Sequence, residues 1–168
     1  MPFPDAEVIF ENLAKRIQAD SGRDFSLIGI HTGGVWLAER LHRELGIKQP
    51  FGVLDVAFYR DDFDKIGLHP QVKPSEIPFA VENAHILLVD DVLQTGRTIR
   101  AAINELFDYG RPASISLAAL VDRGGRELPI AAQYTGIALE LPVDKILELR
   151  CGSNGKLSFN LYDKSLPE

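Results

Sequence analysis

The sequence predicts a doubly wound α/β fold, a mostly parallel sheet flanked by helices. Three observations predict it. Short apolar runs at Leu27–Ile30, Val53–Phe58, Ile86–Val89 and Ile115–Val121 read as strands buried on both faces. Segments with apolar residues at helical spacing lie between them, and such alternation means parallel β-α-β units with right-handed crossovers. Beyond residue 125 the pattern changes: Ile146–Arg150 and Leu157–Leu161 alternate around Cys151-Gly152-Ser153-Asn154-Gly155, a C-terminal antiparallel hairpin.

The elements follow in order. Ile9, Phe10, Leu13, Ala14 and Ile17 share one face of a first helix, with Asp5 placed to cap it. Strand Leu27–Ile30 runs into His31-Thr32-Gly33-Gly34 and a helix through Leu37, Ala38, Leu41 and Leu45, ended by Gly46. After the second strand, Tyr59 to Asn83 holds three prolines and little periodicity. A connection that long is usually a functional lid or disordered, and a surface excursion or a short hairpin is the alternative. Ile99, Ala102, Ile103, Leu106 and Phe107 form the helix face after the third strand, ended by Tyr109-Gly110-Arg111-Pro112.

Composition narrows the function classes. The 168 residues are the length of one domain, 1–168, without repeats or linkers. No apolar run approaches the ~20 residues of a membrane-spanning helix. Met1-Pro2-Phe3-Pro4-Asp5 has no basic region before an apolar core, so no signal peptide is expected. A lone Cys151 excludes an internal disulfide and fits a cytoplasmic setting. The net charge of −6, with Lys and Arg spread thinly, argues against a protein whose main business is holding nucleic acid.

Ile86 to Thr98 is the most informative stretch. Its apolar run ends in Asp90-Asp91 at the strand's carboxyl end, where open parallel sheets keep their ligand crevice. Thr95-Gly96-Arg97-Thr98 then opens a helix with backbone N–H groups and hydroxyls suited to a phosphate. The pattern points to a phosphorylated ribose. A receiver domain also places paired acids after a strand, but near its amino terminus and without a phosphate turn. A simple helix cap needs one acceptor, not two acids and Thr-Gly-x-Thr. Neither GxxxxGK[ST] nor GxGxxG after a strand occurs.

These thirteen residues resemble the phosphoribosyl-diphosphate motif of type I phosphoribosyltransferases. Phe58–Asp62, Val89–Thr98, Gly110–Pro112 and Leu120–Ile130, in that order, resemble the PyrR family over about residues 25–136. Its members are uracil phosphoribosyltransferases that in some lineages regulate pyrimidine-synthesis genes by binding RNA. The resemblance implies a type I phosphoribosyltransferase-like core converting uracil and 5-phosphoribosyl diphosphate to UMP and diphosphate, with the Tyr59–Asn83 stretch as a long flexible lid that closes over the diphosphate. It also implies Mg²⁺ held mainly by diphosphate and ribose oxygens rather than directly by protein ligands.

The same resemblance distributes roles. Asp90 and Asp91 would accept the ribose hydroxyls and favour the oxocarbenium-like transition state, and Arg60 would neutralise the diphosphate; pairing with Asp61 or Asp62 is the alternative for Arg60. Thr95, Gly96, Arg97 and Thr98, with Val92, Leu93 and Gln94 ahead of them, would hold the 5′-phosphate, the Arg97 side chain turning to solvent. Thr32, Gly33 and Gly34 match the diphosphate loop, whereas His31 reads as structural. Val121, Asp122 and Arg123 match the base-binding segment, where Asp122 and Arg123 could equally pair with one another. Gln94, an amide where purine enzymes often have an acid, favours a pyrimidine. RNA-binding members usually have a basic residue at the position of Gly33, often His at that of Gly125, and a more basic first helix. These departures count against pyrimidine-operon leader RNA as a partner; a homo-oligomer is the family expectation. A regulator that senses nucleotide with little catalysis, and a purine enzyme, are the competing readings.

Overall fold

The computed structural model describes residues 3–20, 24–56 and 75–165. The Asp5 carboxylate accepts the Glu7 N–H at 2.8 Å, so helix α1 (Ala6–Ala19) begins at a satisfied cap, and its predicted apolar face is buried throughout. Strand β1 (Ser26–Ile30), helix α2 (Gly33–Glu44) and strand β2 (Gly52–Leu54) follow. Next come β3 (His85–Leu93), α3 (Arg97–Leu106), β4 (Ser114–Asp122) and β5 (Tyr134–Ala138). The chain closes on a hairpin of β6 (Lys145–Cys151) and β7 (Leu157–Asp163).

The main sheet runs β2-β1-β3-β4-β5, parallel at every pairing. Successive residues of a strand point to opposite faces, and two apolar clusters result. Leu27, Leu87 and Val89 face α1, α2 and the hairpin; Ile28, Ile86 and Leu88 face α3. Burial on both sides is what makes these strands continuous apolar runs in sequence. Each fully buried Leu or Ile contributes about 1.5–3 kcal/mol. The hairpin seats Leu147, Leu149 and Leu157 in the first cluster. Glu7 ties that face together: its carboxylate takes Arg40 in a two-pronged pair at 2.8 and 3.1 Å and the Leu157 N–H at 2.7 Å.

Several expectations need correction. Strand β3 does not end before the acidic pair; it stays paired with β4 through Leu93, opposite Asp122. The second strand is shorter than expected, and its continuation at 57–58 lies outside the described residues, as does the excursion up to residue 74. The remainder, 75–83, is fastened: Val53 and Glu76 exchange backbone bonds of 2.8 and 2.9 Å, covering the β2 edge. Phe107 is not on the buried helix face. It caps α3 and is 55% exposed. Strand β5 was not expected, because Gly136 interrupts its apolar run. A Cβ there would sit 2.5 Å from Ile9 Cγ2, so the glycine is what lets α1 lie directly on β5.

Candidate active site

Strand order reverses between β1 and β3, neighbours that lead to different sides of the sheet. In such sheets the ligand crevice opens at that switch point, beyond the strands' carboxyl ends. Two predicted segments meet there. After β1, His31 and Thr32 are joined by a cis peptide bond, and Gly33 and Gly34 begin α2, buried. A Cβ on Gly34 would lie 2.3 Å from the Val89 carbonyl oxygen, and one on Gly33 would lie 2.4 Å from Asp91 Oδ2. Only residues without side chains let this turn press on β3 at the acids.

The acids themselves divide. Alternation puts Asp91 on the face of Val89, toward the start of α2, and Asp90 on the face of Leu88, toward α3. Asp90 is buried and Asp91 half-buried. Each carboxylate accepts the next residue's backbone N–H, Asp90 from Asp91 at 2.9 Å and Asp91 from Val92 at 2.8 Å. One carboxylate thus stands toward the N-terminal end of each flanking helix, where partial positive charge favours anions.

Beyond Leu93 the chain turns sharply. Gly96 has φ 93° and starts α3, and a Cβ there would meet Ile130 Cγ1 at 3.0 Å. Buried Thr95 accepts the Arg97 N–H on Oγ1 at 3.2 Å. Its carbonyl accepts the Glu127 and Leu128 N–H groups at 3.0 and 3.2 Å. Thr98, in the first helical turn, is half-buried. The Arg97 guanidinium lies along the surface in a 3.1 Å pair with Glu127.

The turn after β4 lies alongside. Arg123 donates its N–H to the Leu93 carbonyl at 3.0 Å, and Gly125 stands over Gln94, whose Cγ would be 3.4 Å from a Cβ. Asp122 and Arg123 do not pair with each other. Asp122 takes Arg126 at 2.6 Å and the Gly124 N–H at 3.1 Å. Burial alone would raise the Asp122 pKa, but the Arg126 bond and the Gly124 N–H outweigh it and hold the carboxyl below its usual range. Arg123 is instead buried, with Nη2 on the Pro142 carbonyl at 2.8 Å, and burial lowers its pKa. Its Nε is buried without a partner among the described residues.

Gly33 against Asp91 and Arg123 bonded to Leu93 thus bring the turns after β1, β3 and β4 together, whereas the Leu93 and Val121 side chains are buried in the apolar clusters and Arg60 lies outside the described residues. Sequence reasoning missed Arg126. A cation four residues beyond an acid signals a pair on a helix, and no helix was expected there. Among the described residues no cluster of three or more His, Cys, Asp or Glu could hold a metal ion, and no helix is long and apolar enough to cross a membrane.

A five-stranded parallel sheet with a crevice at its switch point is the architecture of the type I phosphoribosyltransferases. The family model described as phosphoribosyl transferase domain matches residues 4–146. The hypoxanthine-guanine phosphoribosyltransferase (hpt-2) of Bacillus anthracis is similar in fold, with TM-score 0.65 at 17% identity over 83% of each chain. The hypoxanthine phosphoribosyltransferase of Trypanosoma cruzi has TM-score 0.61 at 22% identity, over 83% of this chain and 81% of that one. Similarity in sequence is far higher elsewhere. The bifunctional protein PyrR of Nitrosococcus oceani is 55% identical over 149 residues, 85% of this chain and 84% of that one. Its namesake in Ralstonia nicotianae is 52% identical over 96% of both chains. The chain belongs to the PyrR family of phosphoribosyltransferases.

Proposed function

We propose that the chain is a uracil phosphoribosyltransferase, converting uracil and 5-phosphoribosyl diphosphate to UMP and diphosphate. The observation that carries this reading is the approach of Gly33 to Asp91, which presses the turn after β1 on the acidic end of β3. The same proposal takes residues 1–168 as one domain, which the apolar cluster shared by α1, the hairpin and the sheet supports, and the cytoplasm as its setting. Assembly into a homo-oligomer belongs to the same proposal, with light scattering as its check.

Breaking the bond at the anomeric carbon builds positive charge on the sugar and negative charge on the departing diphosphate. Asp90 and Asp91 accept the ribose hydroxyls and oppose the first with fixed negative charge. The N–H groups of Thr95–Thr98 and the hydroxyl of Thr98 grip the 5′-phosphate, while Val92, Leu93 and Gln94 set the position of that turn. Thr32–Gly34, at the start of α2, face the diphosphate, and Arg60 is assigned to its charge. Backbone groups of Val121–Arg123 are assigned to uracil, with the buried Arg123 side chain bracing that turn against the Pro142 carbonyl.

Mg²⁺ fits this donor set as a passenger of the substrate: two carboxylates are too few for a protein cage, and Mg²⁺ commonly rides on phosphate oxygens. When bound it would screen the diphosphate charge. The test is UMP formation from labelled uracil with Mg²⁺ present and absent, using Asp90→Asn/Asp91→Asn as the control. Turnover of guanine or xanthine in place of uracil would overturn the assignment.

A regulatory role is the second reading, favoured by the relatives' name, bifunctional protein PyrR. It would have UMP or UTP control binding to pyrimidine-operon leader RNA. Gly33 weighs against it in this chain, because it offers no donor where RNA phosphates and bases would be met. Binding at two salt concentrations discriminates: affinity that collapses with salt and ignores sequence is nonspecific.

A further inference from the structure

Arg126 stands outside the residues assigned to substrate, yet its side chain joins two of the turns. Its Nη2 donates to Asp122 Oδ2 at 2.6 Å, its Nη1 to the Gln94 carbonyl at 2.9 Å and its Nε to the Ile130 carbonyl at 2.7 Å. A guanidinium is a planar fork of donors, so a single residue fixes three acceptors in set directions. Those acceptors belong to the end of β4, the residue ahead of the Thr95 turn and the far side of the loop that follows Gly125. Backbone bonds from Glu127 and Leu128 to Thr95 run the same way, and Ile130 fills the space beside Gly96. The Arg126 side chain is only 25% exposed, which shields the pair from water.

We propose that Arg126 is a positioning residue that locks the base turn and the phosphate turn into one unit, so that a ligand ordering either turn orders the other. The proposal rests on assigning those turns to uracil and to the 5′-phosphate. Coupling of this kind is reciprocal. UMP spans both turns and gains from the lock; uridine and ribose 5-phosphate each engage one turn and gain little. Asp122 then acts through Arg126, as a brace for the turn rather than as a reader of the base.

The test compares wild type with Arg126→Met by hydrogen exchange without ligand, then by titration with UMP, uridine and ribose 5-phosphate. Circular dichroism checks that the variant folds; if it does not, Arg126→Lys, which keeps the charge but not the fork, carries the same comparison. Amides of 94–98 and 122–125 should exchange faster together, by about tenfold. UMP affinity should fall about tenfold or more, and that of either fragment by about threefold or less. Faster exchange confined to 122–130, with the Thr95 turn unchanged, would overturn the lock. Equal losses for all three ligands would overturn it too. A wild type that binds none of the three defeats the uracil assignment instead, and the exchange result then decides the role of Arg126 by itself.

Discussion

The turns after β3 and β4 sit side by side and are held in opposite ways. The first is shaped by backbone: a left-handed Gly96, a buried Thr95 and carbonyl-to-amide bonds, with its one charged side chain lying along the surface. The second is shaped by charge: Arg126 on Asp122, Arg123 buried against Pro142. If the first turn offers its N–H groups to a phosphate, as proposed, it must keep side chains out of the way, so geometry is its vulnerable property. A turn braced by guanidinium groups fails when a charge is lost.

The largest effect is expected where geometry is attacked. Gly96→Ala places a Cβ at φ 93°, a conformation strained for any L side chain, and presses it on Ile130 at 3.0 Å. Stability should drop by about 1–3 kcal/mol in chemical denaturation. Affinity for 5-phosphoribosyl diphosphate should fall well over about tenfold, since that loss is only about 1.4 kcal/mol. A variant that binds the substrate normally would remove the backbone-shaped side of the contrast.

Acid attacks the other turn. The Asp122 carboxyl is held below its ordinary value of 3.8, so its folded-state pKa is depressed. Stability from such a group is present above the unfolded value and disappears as pH falls through the folded one. Glu7, lowered chiefly by the Arg40 bond, behaves alike from an ordinary value of 4.5. Unfolding measured from pH 6 down to about pH 2 should show stability falling below roughly pH 4.5. Asp122→Asn and Glu7→Gln should each flatten part of that fall, at a cost of about 1–2 kcal/mol at neutral pH. Unaltered pH profiles in both variants would mean that neither brace contributes.

The same contrast governs what could be read from sequence. Strands β1, β3 and β4 and the three helices among the described residues were legible, because burial on two faces or one writes itself as apolar runs or helical spacing. The turn at Thr95–Thr98 was legible as a turn because a left-handed position such as Gly96 demands a residue without a side chain. Strand β5 was hidden by Gly136, whose reason is the contact with α1, a neighbour far away in sequence. Arg126 was hidden likewise: its partners at 94 and 130 depend on how two loops lie together, which no local pattern encodes. Pairing with Arg123, one of the two readings open for Asp122, gives way to Arg126 for the same reason.

Thr98 lies between the extremes, since it offers the first turn a hydroxyl as well as a backbone. Thr98→Ala should weaken 5-phosphoribosyl diphosphate binding by about threefold to tenfold, the worth of one hydrogen bond to a charged group, and leave free uracil binding nearly unchanged. Calorimetry giving equal losses for both ligands would remove Thr98 from the phosphate.

The smallest effect is expected at Arg97, although a cation in a phosphate turn looks indispensable. Its guanidinium pairs with Glu127 at 3.1 Å, and both side chains are about half exposed, at 55% and 51%. Exposed pairs of this kind are worth about 0–1 kcal/mol. Arg97→Gln should therefore shift stability by less than about 1 kcal/mol. It leaves the residue's own N–H, already bonded to Thr95 Oγ1, in place. Affinity for 5-phosphoribosyl diphosphate should stay within about twofold at moderate salt, where an exposed charge is screened. Titration at low and moderate ionic strength separates the two sources of grip. A loss of tenfold or more that persists at moderate salt would mean that the guanidinium leaves Glu127 to meet the phosphate, and the first turn would then depend on charge as the second does.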